Sequence, residues 1–145
     1  MSTASTSLQQ SMAEIPAVIA ELYLKFDESS FVRQQTAEGM PTLWLGRDKL
    51  LDVLKFLRDD YRPRYEMLLD VTAIDERLRV HRDGQPESDF TVVYQLISYS
   101  GNCDIRLKVA LKETDLKIPT IISLWPAANW HERECWDMFG VVFEG

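Results

Sequence analysis

The stretch FTVVYQLISYSGNCDIRLKVAL, Phe90 to Leu111, decides how the rest of the chain is read. In its second half Cys103, Ile105, Leu107, Val109 and Leu111 fall on one side of an extended chain, and Asp104, Arg106, Lys108 and Lys112 on the other. Successive side chains of a strand point to opposite faces, so the pattern predicts a strand with one core face and one wet face. Phe90 to Tyr99 reads as its partner, with Ser100-Gly101-Asn102 as the turn between them. An antiparallel pair tolerates a solvated face. On this pattern Cys103 is expected to be a buried small hydrophobe.

Upstream, Tyr65 to Ile74 alternates as well, and Tyr65, Met67, Leu69, Val71 and Ala73 are predicted to share one wholly apolar face. Asp70 and Asp75 then point to opposite faces and are not expected to form an acid/base pair. Between the strands lies DERLRVHRDGQPES, Asp75 to Ser88, a polar loop with an Asp83-Gly84 turn signal, either solvated or presented to a partner. Further back, Ile15, Val18, Ile19, Leu22 and Phe26 recur at helical spacing, predicting a helix over 12–26 with Pro16 in its first turn. Phe31 to Ala37 and Thr42 to Leu45 read as a hairpin-like pair around Gly39 and Pro41. A second helix is expected from Asp48, capped by that side chain, burying Leu50, Leu51, Leu54 and Leu57 and ending before Pro63. Residues 1–11 are rich in Ser, Thr and Gln and are expected to form a disordered tail, leaving 12–145 as one domain. The class that results is α+β, a mixed or antiparallel sheet with helices packed on one side.

Bulk properties exclude several functions. A chain of 145 residues, 46% hydrophobic and 27% charged, is long enough for one core without staples. A formal charge of -7 argues against a nucleic-acid footprint, which needs a clustered basic face. No window approaches the ~18 apolar residues of a membrane span, and the start MSTASTSLQQS lacks the marks of a signal peptide, so the chain is expected to stay where it is made. Two isolated cysteines, Cys103 and Cys135, suit a reducing compartment.

The densest chemistry lies in PAANWHERECWDMFGVVFEG, Pro126 to Gly145, read as a helix with marked ends. Asn129 with Glu132 three residues on forms a candidate capping box, and Gly140 sits where a left-handed residue would stop the helix. Arg133 and Asp137 are one turn apart and can pair, while Cys135, Trp136 and Phe139 share the other side with Glu132. A lone buried carboxylate is costly, so capping is the expected role of Glu132. His131 and Cys135 supply only two metal ligands, His81 and Cys103 supply no matching pair, and no metal site is expected. The sequence holds no Gly-rich phosphate loop, iron-sulfur motif or Ser nucleophile elbow. An aromatic, charge-dense helix without a catalytic set reads as a binding or assembly element, since aromatic and Arg side chains anchor interfaces. A reading of a different class is a small acid/base enzyme using Glu132 or Glu134 with Asp137 or His131.

The run Glu132-Arg133-Glu134-Cys135-Trp136-Asp137-Met138-Phe139-Gly140-Val141 resembles the signature ERExxD(L/M)(F/Y)G(I/V) of the C subunit of bacterial NADH:quinone oxidoreductase, respiratory complex I, the 30-kilodalton subunit of mitochondria. Ala128-Asn129-Trp130, Leu107-Lys108-Val109 and Pro119 agree with the same family, and the segment from Asp75 to Ser98 is similar to the form in which the C and D subunits are fused. The resemblance implies a cofactor-free assembly subunit of the hydrophilic arm. Its implied partners are the D subunit of complex I and the iron-sulfur subunits B and I. NADH, FMN, the iron-sulfur clusters and quinone would then be held by partner subunits. It further implies a peripheral place on the cytoplasmic side of the bacterial inner membrane, with membrane association only through the complex. Trp130, Glu132, Arg133, Glu134, Trp136, Asp137 and Gly140 are implied to be structural or interface residues, none of them catalytic. A related module of membrane-bound hydrogenases such as formate hydrogenlyase is the alternative. Family members continue past the position of Gly145 into a His-Pro-containing tail or a fused D subunit, and the domain is expected to fold without it.

Overall fold

Strand periodicity and helix periodicity meet in one core. The computed structural model describes residues 15–80 and 84–145. In chain order these form helix α1 (Ala17–Phe26), strands β1 (Phe31–Arg33) and β2 (Thr42–Leu45), helix α2 (Arg47–Lys55), strands β3 (Met67–Asp75), β4 (Phe90–Ser98), β5 (Cys103–Leu111) and β6 (Lys117–Pro119), helix α3 (Ala128–Phe139) and strand β7 (Val142–Glu144). Five strands make a mixed sheet in the order β1-β2-β5-β4-β3, in which only the β2–β5 contact is parallel. β6 and β7 form a separate parallel pair.

Helices cover one face of the sheet. Ile19 and Leu22 of α1, Leu50 and Leu54 of α2, and Ala128 and Cys135 of α3 join Leu43, Val71, Tyr94 and Leu107 of the strands in a single apolar cluster. Each Val, Leu or Ile side chain in it contributes about 1.5–3 kcal/mol when fully buried. Across the other face a row of Thr72, Val93, Lys108, Trp44 and Val32 runs over all five strands. There the Lys108 ammonium lies 5.3 Å over the Trp44 ring, and both side chains bond Gln34 Oε1, Trp44 Nε1 at 2.9 Å and Lys108 Nζ at 3.1 Å. This is the α+β arrangement expected from the alternation.

Several local expectations are corrected. The face expected to hold Tyr65, Met67, Leu69, Val71 and Ala73 is broken, because the register of β3 slips against β4 between Leu68 and Asp70. One extra residue on β3 reverses the sides, so Leu68, Val71 and Ala73 point into the core while Met67 and Leu69 are partly exposed. Cys103, expected to be buried, is exposed, because it is the first residue of β5 after the turn. Its Sγ lies 3.7 Å from the Tyr65 hydroxyl. Helix α2 starts at Arg47 with Gly46, not Asp48, at its N-cap and no side-chain cap, so Asp48 stands in the first turn, where its charge favours the helix dipole. Leu51 is partly exposed, since Leu50, Val53, Leu54 and Leu57 already complete the buried stripe. Pro16 is the N-cap of α1, one place before its first turn. The first run of the hairpin is a strand only over Phe31–Arg33, followed by one further bond from Gln34 N–H to Thr42 O at 3.0 Å. The expected tail 1–11, the first residues of the helix expected over 12–26, and His81 and Asp83 of the loop lie outside the described residues.

Candidate functional site

Helix α3 is held at both ends. Ahead of it, Arg47 Nη1 bonds Lys117 O at 2.7 Å, and its guanidinium also pairs with the Asp115 carboxylate. Arg58 Nη1 bonds Leu124 O at 2.7 Å, and Trp125 Nε1 bonds Glu66 O at 3.1 Å. Residues Ile121 to Trp125 form one helical turn, with Trp125 N–H donating to Ile121 O at 3.0 Å. At the far end Gly140 is left-handed (φ 76°, ψ 15°) and its N–H closes on Trp136 O, the stop predicted from sequence. The chain then returns as β7 alongside β6, with Ile118 opposite Phe143.

The inner face of α3 carries Ala128, Glu132 and Cys135. Glu132 does not cap its own helix. The helix begins at Ala128 with Ala127 at the N-cap, so Asn129 is already inside the first turn and Glu132 is too far along to reach back. Instead its carboxylate is 4% exposed and spans to the preceding loop, accepting from the Thr120 hydroxyl at 2.5 Å and from Ile121 N–H at 2.8 Å. Burial raises its pKa above the ordinary carboxylate value, against the lowering effect of those two bonds. Tyr94 lies beneath, fully buried, and its hydroxyl is the one buried side-chain polar atom among the described residues without a hydrogen-bond partner. Burial, then the nearby Glu132 and Cys135, push its phenol well above the usual value.

Cys135 is buried with its Sγ 3.7 Å from Val71 O, and burial pushes the thiol up to about 12, with Asp70, Glu134 and Glu132 adding to the effect. A thiol so held is no nucleophile. His131 Nδ1 lies 3.2 Å from the Asp70 carboxylate on β3. His131 and Cys135 are therefore engaged separately, and among the described residues no group of three or more His, Cys, Asp or Glu forms a metal-binding cluster.

The outer face carries the rest of the signature. Trp130 is 71% exposed, Trp136 58% and Met138 73%, and Arg133, Glu134 and Asp137 are exposed between them. Trp136 thus faces solvent, not the Cys135 side expected for it, and among the described residues no ion pair joins Arg133 to Asp137. Glu132 faces inward while Glu134 and Asp137 face outward, so the carboxylates of the acid/base reading are not brought together. Sequence reasoning missed Thr120, the backbone of Ile121 and Tyr94 as the surroundings of Glu132. Alternation of Val92, Tyr94 and Leu96 along β4 is the one signal that could have placed Tyr94 on the core face.

A model of the family described as respiratory-chain NADH dehydrogenase, 30 Kd subunit, matches residues 43–145. The C/D subunit of the NADH-quinone oxidoreductase of Psychrobacter sp. (strain PRwf-1) is 59% identical over 129 residues, covering 89% of this chain and 21% of that protein. Its counterpart from Psychrobacter arcticus is 53% identical over 145 residues, covering 100% of this chain and 24% of that protein. The chain thus spans a fifth to a quarter of the length of these relatives. Among solved structures, a trypsin-resistant fragment (1-134) of Nqo5 superposes with a TM-score of 0.71 at 23% identity, over 88% of this chain and 96% of that one. A chain of an archaeal membrane-bound sulfane sulfur reductase superposes with a TM-score of 0.65 at 24% identity, over 88% and 69%. These two likenesses are of fold.

Proposed function

This chain belongs to the family of the 30 Kd subunit of respiratory-chain NADH dehydrogenase, and on that footing we propose that it is an assembly module of the hydrophilic arm of an NADH-quinone oxidoreductase. It holds no redox group itself: NADH, FMN, iron-sulfur clusters and quinone are carried by neighbouring subunits, and the domain keeps those neighbours in register. Its first partner is the D subunit, since C and D share one polypeptide in the curated relatives; the iron-sulfur subunits B and I are its further partners in this reading. The module sits peripherally on the cytoplasmic side of the inner membrane and is held there by its partners. Among the described residues no helix is long and apolar enough to cross a membrane.

The observation that carries this reading is the outer face of α3, where two tryptophans and a methionine stand in water around three charged signature residues on a helix pinned at both ends. Large aromatic side chains exposed on a rigid element are the usual energetic anchors of interfaces. Relatedness to membrane-bound respiratory complexes outside this family has less support, since the sulfane sulfur reductase chain is alike only in fold. The test is recovery of a separately expressed D-type subunit by this domain carrying the W130A/W136A double variant. Recovery should fall at least tenfold while the thermal transition of the domain stays within a few degrees, because exposed side chains contribute little to folding. Undiminished recovery would remove α3 from the interface.

A further inference from the structure

The hairpin loop after β3 leaves the sheet on an ordered base. Glu76 N–H donates to Asp89 O at 2.9 Å, carrying the ladder one step beyond Asp75, and Arg79 N–H donates to Glu76 O at 3.1 Å to close a turn. The Arg77 guanidinium bonds both oxygens of Asp75, at 3.0 and 2.8 Å, lies 4.8 Å over the Phe90 ring and has Glu113 at 3.5 Å. The Thr91 hydroxyl donates to the Glu76 carboxylate. The polar groups at the base are thus engaged with one another, yet the turn presents Leu78 100% exposed and Val80 94% exposed. Between them Arg79 makes no ion pair among the described residues. Apolar side chains fixed in water on an ordered turn mark a contact surface, and a turn already ordered loses little freedom when it docks.

The place of this turn says what covers it. A notch lined by Arg77, Phe90, Glu113, Leu116, Met138 and Phe139 joins it to the end of α3, and the Phe90 and Phe139 rings meet edge to face at 6.2 Å. The base of the turn and the C-terminal end of α3 therefore line the same notch. We propose that Leu78, Arg79 and Val80 are a second docking point for the D-type partner, seated in an apolar pocket with an acidic rim. The proposal rests on the assembly reading above. In the curated relatives C and D share one polypeptide, which holds D at high effective concentration near this domain. Arg79 supplies the positive charge that an acidic rim selects. A lipid surface fits less well, because a chain of net charge -7 is repelled by anionic headgroups and offers only two aliphatic side chains here.

The test places a photo-crosslinking amino acid at Leu78 in the full C/D-type polypeptide within its assembled membrane complex, with probes at Leu24 as background and at Trp130 for the helix. A crosslink from position 78 to D-type peptides, above that from position 24, is expected. The L78D/V80D variant, whose changes lie on exposed side chains, should keep the fold and lower recovery of the assembled complex about tenfold, a typical effect of losing a hot-spot contact. Crosslinks to lipid, to another subunit, only within this domain, or none above background would each overturn the proposal, as would undiminished assembly of L78D/V80D. Crosslinking to D from Trp130 without Leu78 keeps the helix reading and discards this one. The reverse result discards α3 as the contact and keeps the turn.

Discussion

Removing the Glu132 carboxylate should cost far more when its hydrogen bonds go with it than when only its charge goes. In Glu132→Ala the Ile121 N–H, on a fully buried residue, loses its acceptor, which costs about 1–3 kcal/mol, and the Thr120 hydroxyl loses a charge-assisted bond worth ~1 kcal/mol more. The expected loss is about 2–4 kcal/mol, or a fall in Tm of roughly 6–12 °C at ~3 °C per kcal/mol for a domain of this size. In Glu132→Gln one amide oxygen still accepts from Ile121 and the amide NH2 can donate to Thr120, so stability should stay within about 1 kcal/mol of wild type. The two variants also separate in pH. Burial raises the folded-state pKa of Glu132, so its protonated form favours folding. That contribution is fully present below the ordinary value of 4.5 and is lost as pH rises through the folded value. The stability of Glu132→Gln relative to wild type should therefore be flat below that window and rise with pH across it. Urea unfolding of both variants from pH 4 to 8 measures this. A Gln variant as damaged as the Ala variant at every pH would show that the negative charge itself holds the loop, and the account of a buried hydrogen-bonding strut would fail.

Other expectations are independent of that one. Gly140→Ala forces a left-handed residue whose Cβ would meet only Leu116 Cδ1 at an ordinary contact distance of 4.0 Å, so it should destabilise by about 1 kcal/mol through backbone strain alone, seen as a small fall in Tm. An unchanged Tm would mean that the helix end relaxes. Asp75 is held down to about 2, first by the Arg77 side-chain hydrogen bonds. Its stabilising effect is present above the ordinary value of 3.8 and lost as pH falls toward 2, and Arg77→Ala should raise its NMR titration toward 3.8 but leave it below, because the N–H of residue 77 still bonds the carboxylate at 3.1 Å. A midpoint unmoved by that substitution would show that Arg77 is not the cause. In the native chain a thiol reagent at pH 8 should modify exposed Cys103 and spare Cys135, whose thiol is pushed up to about 12, until denaturant is added. Two reactive thiols in the folded state would show that α3 lifts readily from the sheet.

Much of the chain was legible where the signal is local. Alternation over Cys103–Leu111, the apolar run of Phe90–Ser98, the helical spacing of Val18, Ile19 and Leu22, and the glycine stop at 140 each depend on residues close together in the chain. The run from Glu132 to Val141 also carried the family, because that order of charges, aromatics and glycine is specific. Errors came where position along an element was not enough. Met67 and Leu69 were put on the wrong side because a bulge is visible only against the partner strand, and Cys103 was expected to be buried because alternation gives a side but not how far the helices reach over it.

By itself, then, the sequence determined the main helices and the long strands, the broad class and the family, since these follow from periodicity and from side-chain order, whereas the short parallel pair β6–β7 had no such signal. The tertiary structure decided what the signature residues touch. Glu132 meets Thr120 and Ile121, twelve and eleven residues back, Cys135 meets Val71, and His131 meets Asp70. Packing α3 across the edge strand sets those pairs, and the same packing leaves Trp130, Trp136 and Met138 in water. A helical repeat says that one face will be buried, but which polar groups that face meets depends on where the loop before it crosses the core.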